Sequence, residues 1–572
     1  MMAIRGRSTA RMALMSAVVL IGIASSVNAQ VAEPPPIEAG RVPPRGAYQP
    51  GFDALHYDVA LTIEAASPVV KGRARIDVAI REPRPDDLWF DFSGLAVTSA
   101  RIAVGRGEAA GATARADDGR IHFAVPAAAR AGDTLHVDIA WEGTPDDGLI
   151  LRENVHGQRS AFADNWPDRA RFWFPAIDHP SDKATVSFEV RVPAGWEVIS
   201  NGLRSDRMPA GTPSADGVWR WSEAVPVPTY TMVIGAADFA IGNVNSCAQG
   251  GRNDLRPAGC VPISYWVFPQ DSASGARIFR RADRMLEYYS QRFGAFPYEK
   301  LAHVQSATRF GGMENVGAIF YSEQAIAQGR LDEGTVAHET AHQWFGDAVT
   351  EADWSHLWLS EGFATYFGMQ FFEQADGEES FRQRLAESRQ GYFESDVTDL
   401  AMVDTTAVPG NNLFALLNAN SYNKGGQVLH MLRGLLGDDA FFSGIRLYFQ
   451  RNLNRTALTP DLQRALEEAS GTDLDWFFEQ WAYRPGYPIF RVSQRWDAAA
   501  SEAVVTVEQV QKATWPAFRM PMEFEFATTT GAVRRKADVS ARRIELRFAL
   551  PAAPTGVTLD PDGWVLKQIE TG

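Results

Sequence analysis

Apolar positions along the chain follow two different periods, and the change between them divides it. Tyr57, Val59, Leu61 and Ile63 alternate with His56, Asp58, Ala60, Thr62 and Glu64, and Ala74, Ile76, Val78 and Ile80 repeat the alternation. Similar short runs continue to about Phe239. A period of two turns one face of each strand to a core and the other to water. This stretch therefore predicts an antiparallel sheet domain of roughly 200 residues. From about Ser272 the spacing becomes helical: Ile278, Ala282, Met285, Leu286 and Tyr289 share one face, with Gly294 as a stop. Helical spacing dominates to about Ala482, interrupted by a strand near 303–307. Past Pro485 alternation returns, with Met522, Phe524 and Phe526 set against Glu523 and Glu525, then Ile544, Leu546 and Phe548. The expected fold is multidomain α+β: an N-terminal antiparallel β domain at 51–243, a mostly helical domain at 244–487 and a small β-sandwich at 488–572.

The first fifty residues follow neither period. Arg5, Arg7 and Arg11 precede an apolar run at 13–24, and Val27-Asn28-Ala29 forms a small-x-small cleavage site. That pattern predicts a secretory signal at 1–29, removed so that the mature chain starts at Gln30. The run is short for a span of ~20 residues, and no later run is long enough to cross a bilayer. Residues 31–50 contain six prolines, which predicts an extended arm at 30–50. Export brings an oxidising compartment, in which the only two cysteines, Cys247 and Cys260, can staple the loop between them. The expected location is periplasmic or extracellular. A net charge of −15 argues against nucleic acid or anionic membrane as a partner, since both require a basic face.

The chemistry lies in the helical region. His338-Glu339-Thr340-Ala341-His342 is a His-Glu-x-x-His pattern. On a helix, positions i and i+4 share a face one turn apart, so both imidazoles can reach one zinc ion. Glu339 lies beside the first ligand, where its carboxylate can address a water without occupying the metal. After eighteen intervening residues comes Glu361, within the apolar segment Leu357-Trp358-Leu359-Ser360-Glu361-Gly362-Phe363. A carboxylate on a buried helix requires a strong partner, and a zinc ion supplies one. Two histidines and one glutamate leave a fourth position open, which is the catalytic rather than the structural arrangement.

Three further segments complete a resemblance. Gly311-Gly312-Met313-Glu314-Asn315, Ser421-Tyr422-Asn423-Lys424-Gly425, and Trp476-Phe477-Phe478-Glu479-Gln480-Trp481 followed by Pro485-Gly486-Tyr487-Pro488 stand in order around the zinc motif. Together they make the chain similar to the aminopeptidase N family of gluzincin zinc peptidases, from about Tyr57 onward. The resemblance implies a thermolysin-like catalytic domain, one Zn2+ and peptide substrates with a free N-terminus. It makes Tyr422 the hydroxyl that stabilises the tetrahedral oxyanion, and Met313 part of the pocket for the first side chain. Glu314 can receive the substrate ammonium through a charge-assisted hydrogen bond, which would favour trimming over internal cutting. Gly311 and Gly312 let the backbone approach an extended peptide.

Two departures from the family pattern bear on the site. Trp166 stands where relatives carry an acid or amide that helps to hold the amine, so Asp164 or Asn165 substitutes, or Glu314 works with less help. Ser360 stands where Asn is common before the third ligand, which touches a supporting hydrogen bond rather than a ligand. The resemblance also implies a short member without a C-terminal helical domain, and with it an open cleft. Two other uses of the same zinc site stay open at this level: a thermolysin-like endopeptidase and an enzyme that opens a lipid epoxide.

Overall fold

The computed structural model describes residues 48–570 apart from 82–84, 106–109, 112–114, 118, 207, 209–210, 215, 246, 248–259 and 404–412. By contacts the chain divides into 1–37 and 38–572, and every described residue belongs to the second unit. The expected signal at 1–29 lies outside the described residues, as does nearly all of the arm at 30–50.

Alternation becomes pairing in the first region. Phe52–Ile63 runs antiparallel to Val70–Ile80, with Tyr57 opposite Ile76 and Val59 opposite Ala74. The apolar rows of both strands thus share a face, and all four of these residues are buried. They form the middle of an eight-stranded sheet. One pair in that sheet is not antiparallel: Phe52–Ile63 lies parallel to Lys183–Arg191. The long excursion between the two strands supplies the crossover that parallel pairing requires.

The boundary expected at 243 falls inside a sheet. Ala240–Asn243 pairs with Ile263–Val267, which continues in parallel to Leu301–Ser306 and Ala318–Ser322, with Gly312–Met313 antiparallel at the edge. The strand expected near 303–307 is therefore one of five. Ala318–Ser322 escapes a periodicity reading because a strand covered on both faces does not alternate, and Gly312–Met313 because it is only two residues long. Leu301–Ser306 is buried at every position, and Ala318–Ser322 at all but the last. The helix expected through Ile278 and Tyr289 is two, Ser272–Ile278 and Ala282–Phe293, the second ending at Gly294.

Beyond this sheet, helices carry the motifs. Glu333–His342 holds both histidines, and Trp358–Asp376, buried over most of its length, holds Glu361. The second helix packs against Gly425–Leu436. A Cβ on Gly362 would lie 2.8 Å from the Gly425 Cα, so only glycine lets these backbones approach so closely. That approach brings the turn before Gly425, which carries Tyr422, to the Glu361 helix. At the C-terminal end two sheets form the expected sandwich, Phe524 and Phe526 of one meeting Phe548 of the other at ring separations of 5.0 and 5.1 Å. Cys247 and Cys260 are disulfide-bonded. Among the described residues no helix is long and apolar enough to cross a membrane.

Candidate active site

The histidine helix begins where Asp332 accepts the backbone N–H of Gly334 at 3.1 Å, a side-chain cap that fixes the first turn. One turn apart on its inner face, His338 and His342 bring their Nε2 atoms to 3.0 Å from each other. Each Nε2 is 3.3 Å from Glu361 Oε2. Ligands of a tetrahedral zinc, bound at about 2.0–2.2 Å, are themselves about 3.3–3.5 Å apart, so the three residues fit the ion. The far side of the ring is also arranged for this. His342 Nδ1 lies 3.1 Å from the Phe345 carbonyl, an acceptor, so Nδ1 carries a proton and Nε2 is the nitrogen turned to the cavity. The Ser360 hydroxyl is also 3.1 Å from His342 Nδ1, so the serine helps to fix that ring.

Charge points the same way. Carboxylate oxygens of Glu314 and Glu339 lie within 4.8 Å of a His342 nitrogen and of each other. Three buried carboxylates thus face two imidazoles. Burial, aided by Glu361 and opposed by His342, pushes Glu314 up to about 7. Burial also pushes Glu339 well above the usual carboxylate range, with His342 opposing and Glu314 and Glu361 adding to the effect. Glu361 alone is drawn down, to about 2: burial opposes its charge, but His342 and hydrogen bonds from both rings outweigh that. The excess of negative charge in a closed space is what a divalent cation neutralises. Two carboxylates the sequence reading passes over add to it. Both Glu351 oxygens and Asp347 Oδ1 are buried without a hydrogen-bond partner. Lys183, reaching in from the N-terminal sheet, donates to the Asp347 and Ala348 carbonyls at 2.7 and 3.1 Å.

Tyr422 sits in a single π-helical turn, Asn420–Lys424, and its ring lies nearly parallel to that of His338, 5.9 Å away at 13°. The extra residue in such a turn re-aims a side chain, which ordinary helical spacing does not reveal. Its hydroxyl is pushed well above its ordinary range by burial and by Glu361.

Gly311, Gly312, Met313 and Glu314 line the same cavity, of about 620 Å³, together with His338, Glu339, His342, Glu361 and Tyr422. Gly312–Met313 pairs with Phe320 and Tyr321 on one side and ends the sheet on the other, leaving an edge to which an extended chain can add. The two glycines differ in kind. Nothing lies within 4 Å of a Cβ built on Gly311, whereas one on Gly312 would overlap the Glu339 carboxylate. The requirement at 312 thus comes from Glu339. Gly312→Ala is expected to displace that carboxylate and lower kcat by about 100-fold, with the melting temperature little changed; steady-state rates and thermal melts check it. Glu314 is held by Gln343, whose Nε2 donates to the Glu314 carbonyl at 2.8 Å while its Oε1 accepts the Gly317 N–H at 2.9 Å. Gln343 thus fixes the backbone at Glu314, and its only sequence signal is its place beside His342.

The question left at Trp166 has a structural answer. Asp164 accepts from Arg169 at 3.0 Å, Arg309 at 2.9 Å and Thr308 at 2.9 Å. Asn165 donates to the Thr229 and Met232 carbonyls at 3.1 and 2.7 Å, and accepts from the Trp173 indole at 2.8 Å. Both are fully engaged in holding the domain, and it is Trp166 that faces the cavity, packed on Phe310, Trp354 and Phe414 at 5.6–6.1 Å.

Comparisons with known proteins agree with this arrangement. Residues 53–231 match the peptidase M1 N-terminal domain, and residues 278–481 match the peptidase family M1 domain. Probable aminopeptidase 1 of Sulfurisphaera tokodaii is 29% identical over 412 residues, 68% of this chain and 49% of that protein. Aminopeptidase N of Streptomyces lividans is 28% identical over 349 residues, 58% of this chain and 39% of that protein. The chain spans less than half the length of these curated relatives. Among solved structures, native yeast LTA4 hydrolase is similar with a TM-score of 0.66 over 77% of this chain and 69% of that one, and its 21% identity makes this a likeness of fold.

Proposed function

Because the chain belongs to the M1 family of peptidases, we propose that it is a zinc-dependent aminopeptidase that removes residues from the free N-termini of peptides. One observation carries the exopeptidase part. The Glu314 carboxylate lies within 4.8 Å of both Glu339 and His342. An extended residue spans about 3.3–3.6 Å, so there is room for one residue between a carboxylate that receives an ammonium and the groups that cleave.

Zinc held by His338, His342 and Glu361 would supply a Lewis acid that lowers the pKa of water and polarises the scissile carbonyl. The chain's own groups do the rest. Glu314 binds the substrate ammonium and disfavours a continuing chain, which would leave a buried carboxylate unpaired. The edge of Gly312–Met313 holds the peptide extended. Glu339, made more basic by burial, accepts a proton from the attacking water and returns it to the departing amine nitrogen. The Tyr422 hydroxyl, kept protonated by burial, donates to the oxygen that gains charge in the transition state. Action outside the cytoplasm is part of the same proposal, supported by the Cys247–Cys260 bond.

The test is hydrolysis of an alanyl or leucyl anilide. Activity is expected to fall below detection after a zinc chelator and to return on addition of about one equivalent of zinc. Activity that persists in the stripped protein would contradict the proposal.

A further inference from the structure

We propose that Arg384 is a specificity-determining residue that binds a carboxylate carried by the substrate about two residues beyond the cleaved bond. This rests on the peptidase reading above. Among the described residues Arg384 is the one lysine or arginine on the cavity wall. Its guanidinium carbon lies 3.8 Å from the centre of the Phe372 ring, and it forms no ion pair with any described residue. Stacking fixes the group without neutralising it. Two acids on the wall stand close by, Asp332 beside the same Gly334 and Glu387 three positions on, and neither is within ion-pair distance: Asp332 accepts the Gly334 N–H at 3.1 Å and Glu387 the Gln383 amide at 2.9 Å.

Position decides what such a group can meet. Arg384 Nη1 lies 3.2 Å from where a Cβ on Gly334 would be, so it stands beside the first turn of the histidine helix. The Glu314 carboxylate stands at the last turn, by His342. From Gly334 to His342 the helix rises about 12 Å, with His338 midway. A peptide with its ammonium at Glu314 and its cleaved bond beside His338 advances about 3.3–3.6 Å per residue. It reaches Arg384 about two residues later. Every other charged side chain on the wall is an acid or a histidine, so this is where a substrate carboxylate finds a partner rather than repulsion. The carboxylate can be the C-terminus of a short peptide or an Asp or Glu side chain at that place.

The zinc-loaded full chain is assayed for release of the first residue from two pairs of peptides, Ala-Ala-Ala as free acid and as amide, and Ala-Ala-Glu-Ala-amide against Ala-Ala-Gln-Ala-amide. In at least one pair the charged member is expected to have a kcat/KM about tenfold higher or more, mainly through KM. The pair that shows the preference identifies the source of the carboxylate. Arg384→Ala should bring the ratio close to 1, Arg384→Lys should retain part of it, and Arg384→Glu should invert it. Ratios near 1 in the wild type, or ratios unmoved by Arg384→Ala, would overturn the proposal while leaving the peptidase reading intact. Failure to cleave any of the four peptides would overturn that reading, and this one with it.

Discussion

Glu339→Gln is expected to lower kcat by about 10²- to 10⁴-fold, the usual range for removing a general acid–base, while the protein keeps its full complement of zinc. The two halves of this expectation come from different facts. Glu339 shares a helix with the two histidines but stands apart from their ligand set, so the substitution leaves the 3.0–3.3 Å triangle of ligand atoms untouched. Its carboxylate fills a place against Gly312 that the amide can also fill, so packing is preserved. Only proton transfer is lost. Metal content by mass spectrometry and rate by steady-state assay separate the two halves. A variant that lost zinc, or one that kept wild-type turnover, would contradict the role given to Glu339.

Glu361→Ala is expected to weaken zinc binding by more than about 100-fold, because changing only an outer partner of a ligand already costs about 10- to 100-fold. Activity at trace zinc should disappear with it. Glu361 is buried and its Oε2 lies 3.3 Å from the Nε2 of both imidazoles, so its removal also leaves the buried His342 ring and the half-buried His338 ring without their partner. Thermal melts give a readout independent of catalysis. Zinc should raise the melting temperature of the wild-type protein, because it binds only the folded state. The variant should show little or no such rise. An equal rise in both would remove Glu361 from the ligand set.

The parts of the site that are local in sequence were legible there. His338, Glu339 and His342 need only helical periodicity, and Glu361 needs only a second buried helix after a short connection. Tyr422 was legible through resemblance alone, since a π-helical turn aims its ring by a spacing that periodicity does not encode. The part played by Trp166 was beyond sequence reasoning. It depends on Asp164 being claimed by Arg309, 145 positions away, and Asn165 by the Thr229 and Met232 carbonyls. A different limit hid part of the five-stranded sheet. The Ala318–Ser322 strand is buried on both faces and shows no alternation. Alternation in Phe52–Ile63 and Met520–Thr528 was visible because one face of each meets a core and the other faces water.

The most direct test of the central claim uses one peptide in two forms, with a free N-terminus and with that terminus acetylated, and follows the products by mass spectrometry. Stepwise loss of residues from the free form alone, abolished by a zinc chelator, is the predicted result and ties the ammonium to Glu314. Internal cleavage of both forms would leave the zinc chemistry standing and contradict the aminopeptidase account.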